Sequence, residues 1–280
     1  MQNLIRTLVF DGQVSLTLAD TTNITREAIR LHALSNASAL VLGKTLSAMT
    51  FMSACLKEET GEISLSVKSD GLGGEIGVSG NRKLYLRGYI EHTQASGTEK
   101  ELLGQSGSLT VIRDDGYSRP FVGACALSSE GVDGAFEEYY RISEQLPTYI
   151  ATAVEFDERG ALAFSGVAAL QPLPFADEEV LEKTRNTPLQ EVLQSVKREG
   201  VEKTAETLFA PDKAVWELRT AKYQCNCSRN YLMRVLVSLG NEQMKEIIKE
   251  EGAVRVHCHY CNTDYAFTDE DRRKIFSEEV

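Results

Sequence analysis

The chain has 280 residues, 42% of them apolar, with 41 acidic against 30 basic side chains and a formal net charge of -11. That length accommodates two domains, or one domain with an appended module. The acidic balance, with no clustered Lys or Arg, argues against a general phosphate-backbone binder, and no run of about eighteen apolar residues is present to cross a membrane as a helix.

Leu4 to Leu18 alternates apolar and polar residues around Asp11-Gly12, the pattern of a hairpin that starts a sheet. From Thr25 the spacing becomes helical, with Ile29, Leu31 and Leu34, then Leu40, Val41, Leu42, Leu46, Met49, Phe51, Met52 and Cys55. Two helices broken near Asn36 are predicted, and Cys55 reads as a small core hydrophobe. Strand patterns return at Ile63 to Lys68, Glu75 to Val78, Leu84 to Ile90, Ser108 to Arg113 and Phe121 to Leu127. The stretch Asp70-Gly71-Leu72-Gly73-Gly74 lacks the Lys-Ser/Thr ending and the strand-to-helix context of a phosphate loop, so it reads as a turn. Cys125, between two alanines in a strand pattern, is expected in the core.

Val132 to Gln145 reads as a helix carrying Phe136, Tyr139, Tyr140 and Ile142, with Glu137, Glu138 and Glu144 towards solvent. No Ser-His-Asp, Cys-His or H-E-x-x-H arrangement can be assembled, so an enzyme is not expected. Thr148 to Phe156 and Ala161 to Leu170 form a last hairpin pattern, and Pro172 and Pro174 mark a boundary. Beyond it, Asp177 to Ala210 is charged and helical on either side of Pro188, with a thin stripe of Val180, Leu181, Leu189, Val192, Leu193 and Val196. Such a segment stays helical only while its stripe is covered. Trp216 is expected to anchor this linker to the C-terminal module.

Four of the six cysteines fall in the last fifth of the chain, as a C-x-C pair, Cys225 and Cys227, and a C-x-x-C pair, Cys258 and Cys261. Two short thiolate pairs brought together supply the four tetrahedral ligands of one zinc ion, so all four are predicted metal ligands. His257 and His259 flank Cys258, but four thiolates already complete the shell, which leaves the imidazoles exposed or beside the ligands. Ser228 is placed to cap a helix through Leu239, and Asn241 another ending near Gly252. Val254 to His257 and Tyr265 to Phe267 form short strands, and Thr268 with Asp271 a capping box for a final helix.

A tail of roughly sixty residues buries little core by itself. Metal binding in domains of this size contributes on the order of 10–16 kcal/mol of folding free energy, whereas a disulfide within each close pair would contribute only about 1.5–2 kcal/mol. Oxidation should therefore unfold the tail, which makes a redox switch the sharper alternative to a permanent zinc knuckle. The expected fold class is α+β: an N-terminal mixed sheet-and-helix domain at 1–175, a helical linker at 176–220, and a small C-terminal zinc-binding domain at 221–280. The N-terminus shows no secretory pattern, and cysteines gathered in a metal-like cluster fit a reducing compartment, so a cytoplasmic location is expected.

Taken together, Cys225-Asn226-Cys227-Ser228-Arg229, Ser238-Leu239-Gly240, Cys258-His259-Tyr260-Cys261-Asn262 and Tyr265-Ala266-Phe267 resemble the redox-regulated 33-kilodalton heat-shock chaperones of bacteria. Ser69-Asp70-Gly71, Arg87-Gly88-Tyr89 and Tyr139-Tyr140 with Ser143-Glu144-Gln145-Leu146-Pro147 extend the resemblance over the whole chain. It implies an ATP-independent holdase, inactive while reduced and bound to one zinc ion. Oxidants acting with unfolding heat would form Cys225–Cys227 and Cys258–Cys261 disulfides, release zinc and loosen the linker from the N-terminal platform. The exposed surface would then hold unfolding client proteins, and the active form would be a homodimer; no nucleic acid or membrane partner is implied. Two other classes compete: a structural zinc ribbon in a nucleic-acid or protein assembly, disfavoured by the acidic charge, and a thiol oxidoreductase built on Cys258-His259-Tyr260-Cys261, which lacks the βαβ context such a motif needs.

Overall fold

Between Asn36 and Ala54 small and apolar residues occupy every side of the helical cylinder, a composition that has a place only inside a protein. In the computed structural model, which describes residues 2–127, 130–210 and 212–277, this helix is the axis of the first of two compact units, Met1–Gln224 and Cys225–Val280. The preceding helix α1 (Thr22–His32) stops at Ala33, whose φ of 49° is left-handed, and α2 (Asn36–Ala54) starts when the Ser35 hydroxyl accepts the Ser38 N–H at 3.1 Å. Three hydroxyls on α2 are satisfied in the core because Thr45, Ser47 and Thr50 each donate to the carbonyl four residues back, at 2.8 Å in all three cases.

Two sheets enclose α2. One has the order β10-β1-β2-β9-β8, built from β1 (Leu4–Val9), β2 (Val14–Asp20), β8 (Tyr149–Phe156), β9 (Leu162–Pro172) and β10 (Asp212–Arg219). The other has the order β11-β5-β4-β3-β6-β7, from β3 (Glu62–Ser69), β4 (Ile76–Asn81), β5 (Tyr85–Ile90), β6 (Gly107–Asp114), β7 (Phe121–Ala126) and the two-residue β11 (Lys222–Tyr223), which pairs parallel to β5. α2 packs on strands of both, and Ile63, Leu65, Val67, Val78, Leu86 and Val111 of the six-stranded sheet join its core.

Both faces of the five-stranded sheet are apolar, because alternate residues of its strands point to opposite sides. Leu4, Val167 and Ala169 face the core around α2, while Ile5, Val14, Leu16, Leu18, Phe164, Ala168 and Leu170 face away from it. That outer face is covered by α6 (Leu189–Glu199) and α7 (Val201–Phe209), which follow α5 (Glu178–Arg185). Of the stripe read from the sequence, Leu189, Val192, Leu193 and Val196 are buried in that cover and Val180 is partly buried against it, and Val201, Ala205 and Phe209 of α7 complete it.

Several local expectations differ from what the fold shows. The segment after Ala210 is not helical: β10 lies antiparallel beside β1, whose edge would otherwise be open, and Trp216 packs partly buried on the same outer apolar cluster as α6 and α7. Trp216 therefore belongs to the first unit. A short helix α3 (Glu99–Leu103) is added, held by a capping box between Thr98 and Glu101. The helix expected at Val132 to Gln145 is α4 (Gly131–Tyr139) running into a wider π-type turn at Tyr140–Glu144, stopped by left-handed Gln145. Of its acids only Glu138 is simply a wet residue, paired with Arg141. Glu137 accepts the Ile150 N–H at 3.0 Å, and Glu144 sits between Arg113 at 3.0 Å and the Tyr139 hydroxyl at 2.8 Å. The glycine-rich turn is a packing device: Asp70 accepts N–H bonds from Gln105 and Ser106, and a Cβ on Gly71 would lie 2.2 Å from the Leu102 carbonyl oxygen. Those N–H bonds hold the Asp70 carboxyl below its usual range. Cys55 and Cys125 lie in the core as expected, their thiols pushed up by burial.

The second unit is much smaller. It contains α8 (Arg229–Val237), α9 (Asn241–Glu251), a hairpin of β12 (Val254–Cys258) and β13 (Thr263–Phe267), and α10 (Asp269–Ser277). Asn241 is the first helical residue of α9 and not its cap, since the chain enters from Gly240 at φ 87°. Among the described residues, its buried cluster is Leu236, Met244, Val254, Phe267 and Ile275, with partly buried side chains such as Leu232, Ile248 and Tyr265 packed against it.

A Cβ at Gly43 of α2 would come within 2.8 Å of Thr25 Cγ2 and 2.9 Å of Val154 Cγ2. Gly43→Val is expected to destabilise the first unit by about 1–3 kcal/mol through overpacking, read as a lower urea midpoint with unchanged slope.

Candidate metal and redox centre

Chain geometry in the second unit brings the two cysteine pairs together. Cys258 ends β12, the turn closes with the Asn262 N–H donating to the Cys258 carbonyl at 2.8 Å, and left-handed Asn262 at φ 53° turns the chain into β13. Cys261 lies in that turn. Cys225 and Cys227 lie just before α8, whose first turn is fixed by the Ser228 hydroxyl accepting the Tyr231 N–H at 3.1 Å. Arg229 then reaches Asp271 at 2.7 Å and lies 4.6 Å over the Phe267 ring, while Asp271 also accepts the Thr268 N–H at 2.8 Å. One carboxylate thus caps α10 and holds the segment that carries the first cysteine pair.

The four Sγ atoms all lie within 4.8 Å of one another. Cys225 is 3.7 Å from Cys258 and Cys227 is 3.1 Å from Cys261, so these close contacts join sulfurs of opposite pairs. Tetrahedral Zn–S bonds of about 2.3 Å place sulfurs about 3.8 Å apart, and four partly buried thiols within this span form a donor set that could hold a metal ion and is compatible with zinc. The same thiols are close enough for disulfide chemistry after local rearrangement.

Electrostatics distinguishes the sulfurs. Burial pushes the Cys225 thiol well up, and burial also raises Cys261 to about 11 despite the nearby Thr263 hydroxyl. Burial opposes ionisation of Cys227 too, but hydrogen bonds from the Tyr265 hydroxyl, 3.4 Å away, and from the other cysteines outweigh it and bring that thiol down to about 7. His257 turns away to Asp264 at 2.8 Å and stacks edge-on with His259, and neither joins the sulfur cluster. Tyr265 and Arg229 were not singled out by sequence reasoning as parts of this site. Period-two alternation from Cys258 through the hairpin register, which pairs Val256 with Tyr265, was the available signal for the tyrosine.

Comparison with known proteins settles the lineage. The family model described as Hsp33 protein matches residues 2–268. The chain belongs to the Hsp33 family. Curated relatives include the 33 kDa chaperonin of Clostridium perfringens strain SM101, 32% identical over 289 residues covering 98% of this chain and 91% of the relative. The 33 kDa chaperonin of Bacillus cereus strain B4264 is 32% identical over 283 residues, 96% of each chain. The crystal structure of the 33 kDa chaperonin (heat shock protein 33 homolog) of Thermotoga maritima superposes with a TM-score of 0.82 at 24% identity, covering 100% of this chain and 99% of that one, and so shares the fold. Hsp33 membership makes this a protein of a stress-response chaperone family, and among its described residues no helix is long and apolar enough to cross a membrane.

A metal held here would take thiolates, so protons would compete for the same sulfurs, and the raised Cys225 and Cys261 would shed theirs on binding. The apparent zinc affinity is therefore expected to fall as pH drops from 8 to 6, by at least about tenfold per unit. Chelator competition at each pH measures it, with proton release on zinc addition as the companion signal.

Proposed function

We propose that this protein is a redox-regulated, ATP-independent holdase of the cytosol, silent when its four thiolates hold one zinc ion and active once they are oxidised. The observation that carries the reading is the imbalance within the second unit, where among the described residues a four-sulfur cluster accompanies a small core, five clustered buried side chains with partly buried ones packed around them. Cys225, Cys227, Cys258 and Cys261 would ligate the ion, which when bound supplies a fourfold cross-link in place of core. The residues present fit that role by number, softness and spacing.

In the active direction the proposed bonds are Cys225–Cys227 and Cys258–Cys261. Each pair of thiolates gives two electrons to one peroxide, which with two protons leaves as two waters. The disulfides close loops too short to replace the lost cross-link, so the tail loses its fold. Residues 176–220 are then the segment that comes loose from the platform at 1–175, with the switch at 221–280. Support comes from how α6 and α7 are held: short amphipathic helices whose stability depends on the apolar sheet face beneath them. Release of that cover would uncover Ile5, Leu16, Leu18, Phe164 and Leu170, a surface suited to unfolding clients and, in the oxidised form, to a second copy. No catalytic turnover and no nucleic-acid or membrane partner enter this reading.

The direct test measures zinc, free thiols and suppression of aggregation of a thermally unfolding client, before and after peroxide at raised temperature. Loss of one zinc with four thiols and the appearance of holdase activity is the expected result, with peptide mapping showing the two local disulfides. Equal activity in both states would reject the switch. A second prediction separates the linker from the sulfur chemistry: Leu193 is fully buried against the sheet, and Leu193→Asp places a charge there at a cost of several kcal/mol. The variant is expected to hold client while still reduced and zinc-loaded, with faster amide exchange in α6 and α7.

A further inference from the structure

Among the four sulfurs, Cys227 has an aromatic hydroxyl directed at it. Along β13 the alternation places Thr263, Tyr265 and Phe267 on one face, and the register sets Tyr265 opposite Val256, on the side of the hairpin that carries the buried Val254 and Phe267. The ring is partly buried against the small core, and its hydroxyl oxygen lies 3.4 Å from Cys227 Sγ. The Cys261 sulfur has the Thr263 oxygen at 3.3 Å, but that hydroxyl also donates to the Cys261 carbonyl at 3.2 Å. Cys225 receives a long backbone N–H from Cys227 at 3.5 Å.

We propose that Tyr265 is a positioning residue of the switch, whose hydroxyl donates to the Cys227 thiolate and lowers the charge that sulfur presents to metal and oxidant. The inference rests on the reading of the cluster as a thiolate metal site and deepens it by naming a residue that tunes its threshold. A metal-bound thiolate has no proton, so the tyrosine O–H is the donor and the sulfur lone pair the acceptor. In oxidation that lone pair attacks the O–O bond of a peroxide: the S–O bond forms, the O–O bond breaks, and the leaving oxygen takes up a proton from solvent to depart as water, leaving a sulfenic acid. A neighbouring thiolate then displaces the sulfenic oxygen, which leaves as a second water with one more proton. A hydrogen bond on the attacking sulfur is strongest before charge leaves it, so it slows the first of these steps.

Tyr265→Phe keeps the packed ring and removes only the donor. Two measurements on the full-length protein read its effect. In the cobalt-substituted protein the sulfur-to-cobalt charge-transfer band should move to longer wavelength while the tetrahedral ligand-field bands stay in place, a signature that loss of packing would not produce. In the zinc-loaded protein, limiting iodoacetamide followed by fragment mapping should show labelling of Cys227 increased by about three- to tenfold, the rate equivalent of losing one hydrogen bond. Site-specific 2,3-difluorotyrosine at 265, a stronger donor of similar shape, should move both readouts in the opposite direction, and decides the matter where Tyr265→Phe disturbs the ligand-field bands. An unchanged band and unchanged Cys227 labelling in the variants would overturn the proposal. Neither readout depends on holdase activity or on zinc release by peroxide, so failure of the switch and failure of this hydrogen bond are separately visible.

Discussion

Four sulfur atoms within 4.8 Å of one another are the feature around which the last part of this chain is arranged. A unit this small, whose buried cluster among the described residues is Leu236, Met244, Val254, Phe267 and Ile275 with partly buried side chains around it, has little apolar burial to set against the conformational entropy of the residues it orders. A metal ion held at four points would change that balance, because its binding free energy would enter the folding equilibrium directly. Polar contacts such as Arg229 with Asp271 and Ser228 with the first turn of α8 orient the segments that bring the thiols together. They are partly exposed and contribute modestly by themselves.

The first unit has the opposite character. Its central helix is buried on all sides between two sheets, and close approaches such as Gly43 to Thr25 and Val154 leave little room for adjustment. The five-stranded sheet is the part with a condition attached. Its inner face is held by α2, but its outer face is shielded by helices that carry Glu and Lys on their other sides and one narrow apolar stripe. In the proposed reading, a platform whose outer sheet face is covered by short helices, joined in sequence to a four-sulfur tail, is what would let the chaperone be held silent.

Much of this was legible in the residues. Most strands and helices of the first unit, with the helix break near Asn36 but without α3 and β10, followed from changes of hydrophobic period, and the sulfur cluster from the spacing of Cys225, Cys227, Cys258 and Cys261. The misreadings share a cause. Asp212–Arg219 pairs with the edge of β1, more than two hundred residues away in sequence, and no local pattern announces that partner. Trp216 followed the same segment into the outer apolar cluster. Glu137 and Glu144 looked like a solvated helix face until the Ile150 amide and the Arg113 and Tyr139 side chains were brought to them from other elements.

By itself the sequence determined the chemistry available to this protein: four soft ligands in two short pairs, a thin-striped helical segment, an acidic surface and an apolar core of two periods. Those features are set by residue type and spacing over a few turns of chain. Tertiary structure alone decided which sulfurs became neighbours across the two pairs, that the stripe at Leu189 to Val196 covers a second apolar face of a sheet, and that the Tyr265 hydroxyl meets Cys227. Each of these depends on register and packing between segments far apart in the chain, where side-chain direction is fixed only once the strands have paired.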